Sequence, residues 1–256
     1  MDAARAVIVD CLQELLAPKG ILARNDVHVR KLEGLSQKNE VLAGDIPETV
    51  PVEMNGLHLH APLLHGQKTG VYLDQRENYL AAANWARGRA LDCFTSTGGF
   101  ALHLAARCES VDAIDSSAEA LKTAEANAEA NHITNVSFRE ANVFDYLGGL
   151  RRSFDTIVLD PPAFAKSKSN LDAALRGYKE INFKALKLLS TGGVLVTCSC
   201  SHHVSEFALL ELLAAAALDA GRTVRVLERR TQGQDHPILL TVPETLYLKC
   251  LIVEVL

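Results

Sequence analysis

Beyond Gly70 the chain alternates short apolar runs with longer stretches of helical periodicity, and this alternation limits the possible folds more than any other feature of the sequence. Runs at Ala90-Leu91-Asp92-Cys93, Ser110 to Ile114, Val136-Ser137-Phe138, Phe154 to Leu159, Gly193 to Thr197, Val224 to Leu227 and Tyr247 to Val255 read as strands. Helical spacing fills the intervals around Tyr79 to Trp85, Gly99 to Arg107, Ala118 to Asn131, Leu171 to Leu189 and Glu206 to Ala220. Strands joined through helices run parallel, because each crossover returns the chain to the same end of the sheet. The expectation is a doubly wound α/β domain over residues 70–256.

Before Gly70 the pattern differs. Apolar pairs Ala6-Val7, Cys11-Leu12 and Leu15-Leu16 recur at helical spacing, and Pro18-Lys19-Gly20 stops them. Val27-His28-Val29 and Val50-Pro51-Val52 read as short β-like runs, and Asn55-Gly56 ahead of Leu57-His58-Leu59 signals a type I′ hairpin. A small α+β lobe over residues 1–69 is expected.

Composition narrows the class. No apolar run approaches the roughly 18 residues that a bilayer demands. The opening Met1-Asp2-Ala3-Ala4-Arg5 lacks the layout of a signal peptide, so a cytoplasmic location with no membrane partner is expected. The six cysteines are scattered and their closest pair is C-x-C, which argues against a disulfide scaffold, a zinc ribbon or any metal site. A net charge of −5 argues against holding nucleic acid by bulk electrostatics, and leaves a local basic patch open.

Ligands of a doubly wound sheet bind at the carboxyl ends of its strands. The first such end reads Asp92-Cys93-Phe94-Thr95-Ser96-Thr97-Gly98-Gly99-Phe100. Its glycines permit a tight turn and close approach of a ligand, and the helix that follows offers N–H groups; an ordinary strand-to-helix turn uses the same pair. The missing G-x-G-x-x-G argues against a nicotinamide dinucleotide. Asp115 ends the second run where a ribose-diol acceptor belongs, although Ser116, Ser117 and Glu119 beside it also suit a helix cap. After the third run, Asn142 has the chemistry to donate to and accept from an adenine edge. The fourth run ends in Asp160-Pro161-Pro162-Ala163-Phe164, where two prolines stop ladder bonding and stiffen the loop, so Asp160 and Phe164 are expected to face the crevice.

In that order the glycine loop, Asp115, Asn142 and Asp160-Pro161-Pro162 resemble the successive motifs of class I S-adenosylmethionine-dependent methyltransferases. Longer stretches carry a closer resemblance: residues 29–35 (VRKLEGL), 67–78 (QKTGVYLDQREN), 176–182 (RGYKEIN) and 235–237 (DHP) are similar to the bacterial large-subunit ribosomal RNA cytosine-5 methyltransferase I family, over nearly the whole chain. Members of that family open with an RNA-binding PUA domain, and this sequence begins where their central domain would, so a chain without that domain is expected. The resemblance implies a Rossmann-like methyltransferase sheet, the small lobe as an RNA-facing platform, and S-adenosyl-L-methionine as cofactor. It implies ribosomal RNA or a ribosomal precursor particle as partner, and leaves a homodimer open. Cofactor contacts are then expected at Gln75, Arg76, Asp92, Phe94, Thr97, Gly98, Gly99, Phe100, Asp115, Ser116, Asn142, Val143, Asp160 and Pro161. Substrate contacts are expected at Pro162, Phe164, Lys166, Arg176 and Lys179, with Lys168 a further basic candidate; for the basic residues a solvated helix face is the plain alternative.

Carbon 5 of a cytosine is not nucleophilic, so the implied chemistry needs a thiolate that first adds to carbon 6. Cys200 falls at the family's nucleophile position, and Asp160 would stabilise the adduct by hydrogen bonding. Cys198 lies closer to the apolar run and reads as core. No residue stands out as the base for the carbon 5 proton: Asp160, a water and the Asp235-His236 segment are equal candidates. Two other readings compete: methylation of a guanine nitrogen or another nucleobase position, which needs no thiol, and a non-catalytic RNA-binding or ribosome-assembly module.

Overall fold

The structure is a computed structural model that describes residues 2–64, 71–151, 153–164 and 170–256. Residues 67–70 of one family-like stretch, and Lys166 and Lys168, therefore lie outside the described residues. Two compact units emerge, Met1–Pro51 with Ala61–Gly70 and Val52–His60 with Val71–Leu256, so the division is interleaved where the sequence suggested one cut.

In the smaller unit, helix α1 (Arg5–Leu16) ends where Ala17 turns left-handed and its N–H bonds back to the Gln13 carbonyl. Strands β1 (Gly20–Ala23) and β2 (Glu40–Gly44) pair antiparallel, an element the apolar pattern did not show. The expected β run at Val27-His28-Val29 is instead the start of a 3-10 helix, His28–Glu33, closed by Gly34 at φ +69°. Val27 and Val29 are both exposed, so a strand there would have had no apolar face to bury. Strands β3 (Thr49–Met54) and β4 (Leu57–Pro62) form the hairpin, with Asn55 and Gly56 both at positive φ as a type I′ turn requires.

The larger unit carries α2 (Arg76–Trp85), β5 (Arg89–Cys93), α3 (Gly99–Ala105), β6 (Ser110–Asp115), α4 (Ala118–Ala130), β7 (Val136–Glu140), α5 (Val143–Gly149) and β8 (Phe154–Leu159). It continues with α6 (Leu171–Leu188), β9 (Leu189–Ser199), α7 (Glu206–Ala220), β10 (Val224–Arg230) and β11 (Lys249–Val255). Seven strands form one sheet in the order β10-β11-β9-β8-β5-β6-β7. The pairs from β7 through β9 are parallel, whereas β11 runs antiparallel between β9 and β10, so the sheet is mixed rather than wholly parallel. Alternate strand residues split the core. Leu91, Cys93, Ile114, Ile157, Leu159, Leu195, Leu251 and Val253 pack in one cluster with α5, α6 and α7. The intervening residues, among them Ala90, Ala113, Val158, Val196 and Ile252, are equally buried, and α3 and α4 pack against β5, β6 and β7.

Candidate active site

The strand order reverses between β5 and β8, and there the two carboxyl ends are tied: the Asp160 N–H donates to the Cys93 carbonyl at 3.3 Å. A crevice at such a switch point is where open α/β sheets bind ligands. The loop after β5 is tightly wound, with Phe94 at φ +66°, Ser96 at +50° and Gly98 at +90°. Left-handed conformations cost a non-glycine residue of the order of 1–3 kcal/mol, so the surroundings must impose them. The Thr95 N–H donates to the Ile114 carbonyl at 3.0 Å, and the Gly98 N–H to the Thr95 carbonyl at 2.9 Å.

Asp92 lies beneath this loop, fully buried. Its Oδ2 accepts from Thr95 Oγ1 at 2.6 Å and from the Ala101 N–H at 2.9 Å, so that helix N–H serves the carboxylate rather than a ligand. Its Oδ1 is buried without a protein partner. Burial pushes the Asp92 carboxyl up to about 7, with the nearby Asp160 and Asp115 carboxylates adding to the rise. Asp115 is half-buried at the end of β6, and each oxygen accepts one backbone N–H, from Ser96 and Ser117, both at 2.9 Å. The helix cap is Ser117, whose side chain accepts from Ala120. A carboxylate offers about four lone-pair directions, so Asp115 keeps acceptor capacity for a diol. Asn142 caps α5, its Oδ1 accepting from the Phe144 and Asp145 N–H groups; the cap occupies its acceptor and leaves the amide donor.

The glycine pair has a second explanation. A Cβ on Gly99 would meet the Tyr79 hydroxyl at 2.5 Å, so the absent side chain lets α2 and α3 approach. Gly98 needs its positive φ. Phe100 and Val143 are buried, Phe100 with its ring edge-to-face on Tyr79 at 4.7 Å, and Ser116 is exposed.

Across the crevice, β9 ends at Ser199 and Cys200 follows, half-buried, with its Sγ donating to the Pro161 carbonyl at 3.9 Å. The serines on either side of it share one buried phenol: Ser199 Oγ lies 3.1 Å and Ser201 Oγ 2.9 Å from the Tyr178 hydroxyl. Cys198 is buried opposite Cys250 in the β9–β11 register, and burial holds its thiol well above the ordinary range. Tyr72 faces the same crevice: burial pushes its phenol up to about 12, and Asp160, Cys200 and Asp115 all contribute.

Two distant stretches of sequence meet beside it. Asn78 Oδ1 accepts from Arg230 Nε at 2.9 Å, its Nδ2 donates to Gln75 Oε1 at 2.7 Å and to the Thr231 carbonyl at 3.0 Å, and the Tyr247 hydroxyl donates to Asp74 Oδ2 at 2.8 Å. Arg76 lies 3.7 Å from Asp235, which brings the arginine to the DHP stretch. Gln75 is buried within this network.

Other expected substrate residues are placed differently. Pro162 is exposed, while Phe164 packs among Phe94, Phe144 and Tyr178, with its ring 4.6 Å from that of Tyr178. Lys179 on α6 pairs with Asp219 on α7 at 2.7 Å, and Arg176 is exposed beside it in a shallow depression. The sequence reading missed Thr95, Tyr72 and Lys249. For Lys249 a signal existed, a cation directly ahead of the apolar run Cys250-Leu251-Ile252-Val253.

The sheet order, the wound loop after β5 and the acidic residues at the ends of β5, β6 and β8 define a methyltransferase-type domain, and the profile described as "Methyltransferase domain" matches residues 86–239. The chain belongs to that methyltransferase family. More particularly, it is 42% identical over 253 residues to the ribosomal RNA large subunit methyltransferase I of Escherichia coli, covering 96% of this chain and 64% of that protein. It is 43% identical over 262 residues to the protein of the same name from Pseudoalteromonas atlantica, covering 100% of this chain and 66% of the other. The chain thus spans just under two thirds of the length of these relatives. Among solved structures, a protein classed as a SAM-dependent methyltransferase from Streptococcus mutans superposes with a TM-score of 0.82 at 21% identity, over 98% of this chain and 65% of the other. A methyltransferase complexed with SAH superposes equally well, with a TM-score of 0.82 at 21% identity over 98% of this chain and 66% of that one.

Proposed function

We propose that this chain transfers a methyl group from S-adenosyl-L-methionine to carbon 5 of a cytosine in large-subunit ribosomal RNA, with Cys200 as the covalent nucleophile. The named relatives support ribosomal RNA as the substrate, and the SAH-bound neighbour of the same fold supports the cofactor. The residues fit such a cofactor: Asp115 would hold a ribose diol, and Asp92 has a buried carboxyl oxygen with no protein partner. Bound there, the cofactor supplies an electrophilic methyl group.

The chain's own residues supply the rest. The Cys200 thiolate adds to carbon 6 of the cytosine, which makes carbon 5 nucleophilic enough to take the methyl group. Asp160 hydrogen-bonds the ring as charge develops. A base then removes the carbon 5 proton, the carbon–sulfur bond breaks, and the thiolate is restored. One observation carries this reading: Cys200 is half-buried against the Asp160-Pro161-Pro162 loop, whereas Cys93, Cys108, Cys198 and Cys250 are buried and Cys11 is exposed in the other unit.

RNA carrying 5-fluorocytosine tests it, because fluorine does not leave as a proton does and the adduct stalls. The wild-type chain should form a denaturant-resistant complex, Cys200→Ala should form none and lose methyl transfer, and Cys198→Ala should retain both. Methyl transfer to RNA without any trapped complex would favour the guanine-nitrogen reading instead.

A further inference from the structure

Lys249 opens β11 directly across from Ser199, and its side chain is buried although it carries a charge. Its Nζ donates to the Ser201 carbonyl at 2.7 Å and to the Tyr247 carbonyl at 2.8 Å. Both partners are neutral, and burying an ammonium against carbonyls alone is costly, so the position calls for an explanation beyond packing. Ser201 follows Cys200, and its Oγ is already held by Tyr178. The residues flanking the thiol are therefore fixed from two sides, by a phenol from α6 and by an ammonium from β11.

We propose that Lys249 is a positioning residue for Cys200: it holds the turn that presents the thiol and supplies the positive field in which the thiolate forms. This rests on the reading of Cys200 as nucleophile. Burial pulls the Lys249 ammonium down to about 8, and the Cys200 thiolate acts the other way, so each charged form favours the other. The phenols and carboxylates around the thiol do not supply that field. Burial holds the phenols of Tyr72, Tyr178 and Tyr247 above their ordinary range, so they are neutral near pH 7, and Cys200 adds to the rise in all three. Asp160, on the loop that touches Cys200, opposes a second negative charge, as does Asp74 behind Tyr247; Cys198 and Cys250 are buried thiols.

The test is the pH dependence of Cys200 alkylation in the full chain. Iodoacetamide is attacked by the thiolate, which displaces iodide after the thiol proton has gone to solvent, and peptide mass mapping assigns the modified cysteine. Lys249→Met should move the Cys200 midpoint up by about one pH unit or more, roughly tenfold less thiolate at neutral pH, and Lys249→Arg should bring it back. The reciprocal measurement guards against loss of fold: in Cys200→Ser the Lys249 ammonium, followed by NMR at its Cε, should titrate lower than in the wild type. An unchanged midpoint in folded Lys249→Met, no recovery in Lys249→Arg, or an unchanged lysine titration in Cys200→Ser would overturn the proposal. Alkylation needs neither RNA nor cofactor, so its outcome is separate from that of the fluorocytosine trap.

Discussion

Asp115 Oδ2 accepts the Ser96 N–H at 2.9 Å, so the carboxylate that ends β6 also holds the strained turn that follows β5. One side chain thus shapes the crevice wall and keeps acceptor capacity for a ligand. Asp115→Ala should weaken S-adenosylmethionine binding by about 10- to 150-fold, equivalent to roughly 1.5–3 kcal/mol for hydrogen bonds to a charged acceptor. Calorimetry that finds unchanged affinity would remove Asp115 from the cofactor site.

Asp92 makes stability depend on pH in an unusual direction. Its carboxyl is held up to about 7 in the folded chain, against an ordinary value of 3.8, so between those values the folded state keeps a proton that the unfolded state has released. Its contribution to stability therefore falls as pH rises through that window, and the full penalty applies above it. Asp92→Asn should remove this slope and gain on the wild type with rising pH, by as much as about 4 kcal/mol. Urea unfolding of both proteins across the window checks it; parallel profiles would mean that Asp92 ionises as an ordinary carboxylate.

Gly99→Ala should cost about 1–3 kcal/mol, because the new methyl group overlaps the Tyr79 hydroxyl and ring, whose nearest atoms would lie 2.5 and 2.6 Å away. Gly149→Ala, at the last position of α5 with open space around its Cβ, should be neutral or stabilising by up to about 1 kcal/mol. Thermal melts of the two variants without cofactor separate a packing requirement at Gly99 from a ligand-approach requirement.

Truncation should depend on where the cut falls. The tip of the β3–β4 hairpin is bonded into the larger unit: the His60 N–H donates to Asn127 Oδ1 at 2.7 Å, the His58 N–H to Asn131 Oδ1 at 2.8 Å, and Asn55 Nδ2 to the Arg76 carbonyl at 2.8 Å. A chain beginning at Val52 should keep cofactor binding and lose RNA methylation, whereas one beginning at residue 65 should also melt at lower temperature. Full-rate methylation by the Val52 chain would show that residues 1–51 are not the RNA platform.

The sequence by itself determined the alternation of strands and helices, the hairpin at Asn55-Gly56 and the strand-end positions of Asp92, Asp115, Asp160 and Cys200. These were legible because a strand buried on both faces must be apolar throughout, and a polar residue at its end stands out. Tertiary structure decided what local pattern does not encode. Val27-His28-Val29 alternates like a strand but had no partner to bury against, and β11 inserts antiparallel between β9 and β10 although its apolar composition matches that of the parallel strands β8 and β9. Asn142 and Gly99 suggested ligand contacts from their residue type and strand-end position, while the helix cap on the Asn142 acceptor and the approach of Tyr79 to Gly99 emerge only in three dimensions. Lys249 shows the reason most directly: the carbonyls that hold its ammonium, Ser201 and Tyr247, come from either side of a strand pairing, and only register brings a charge on β11 to the end of β9.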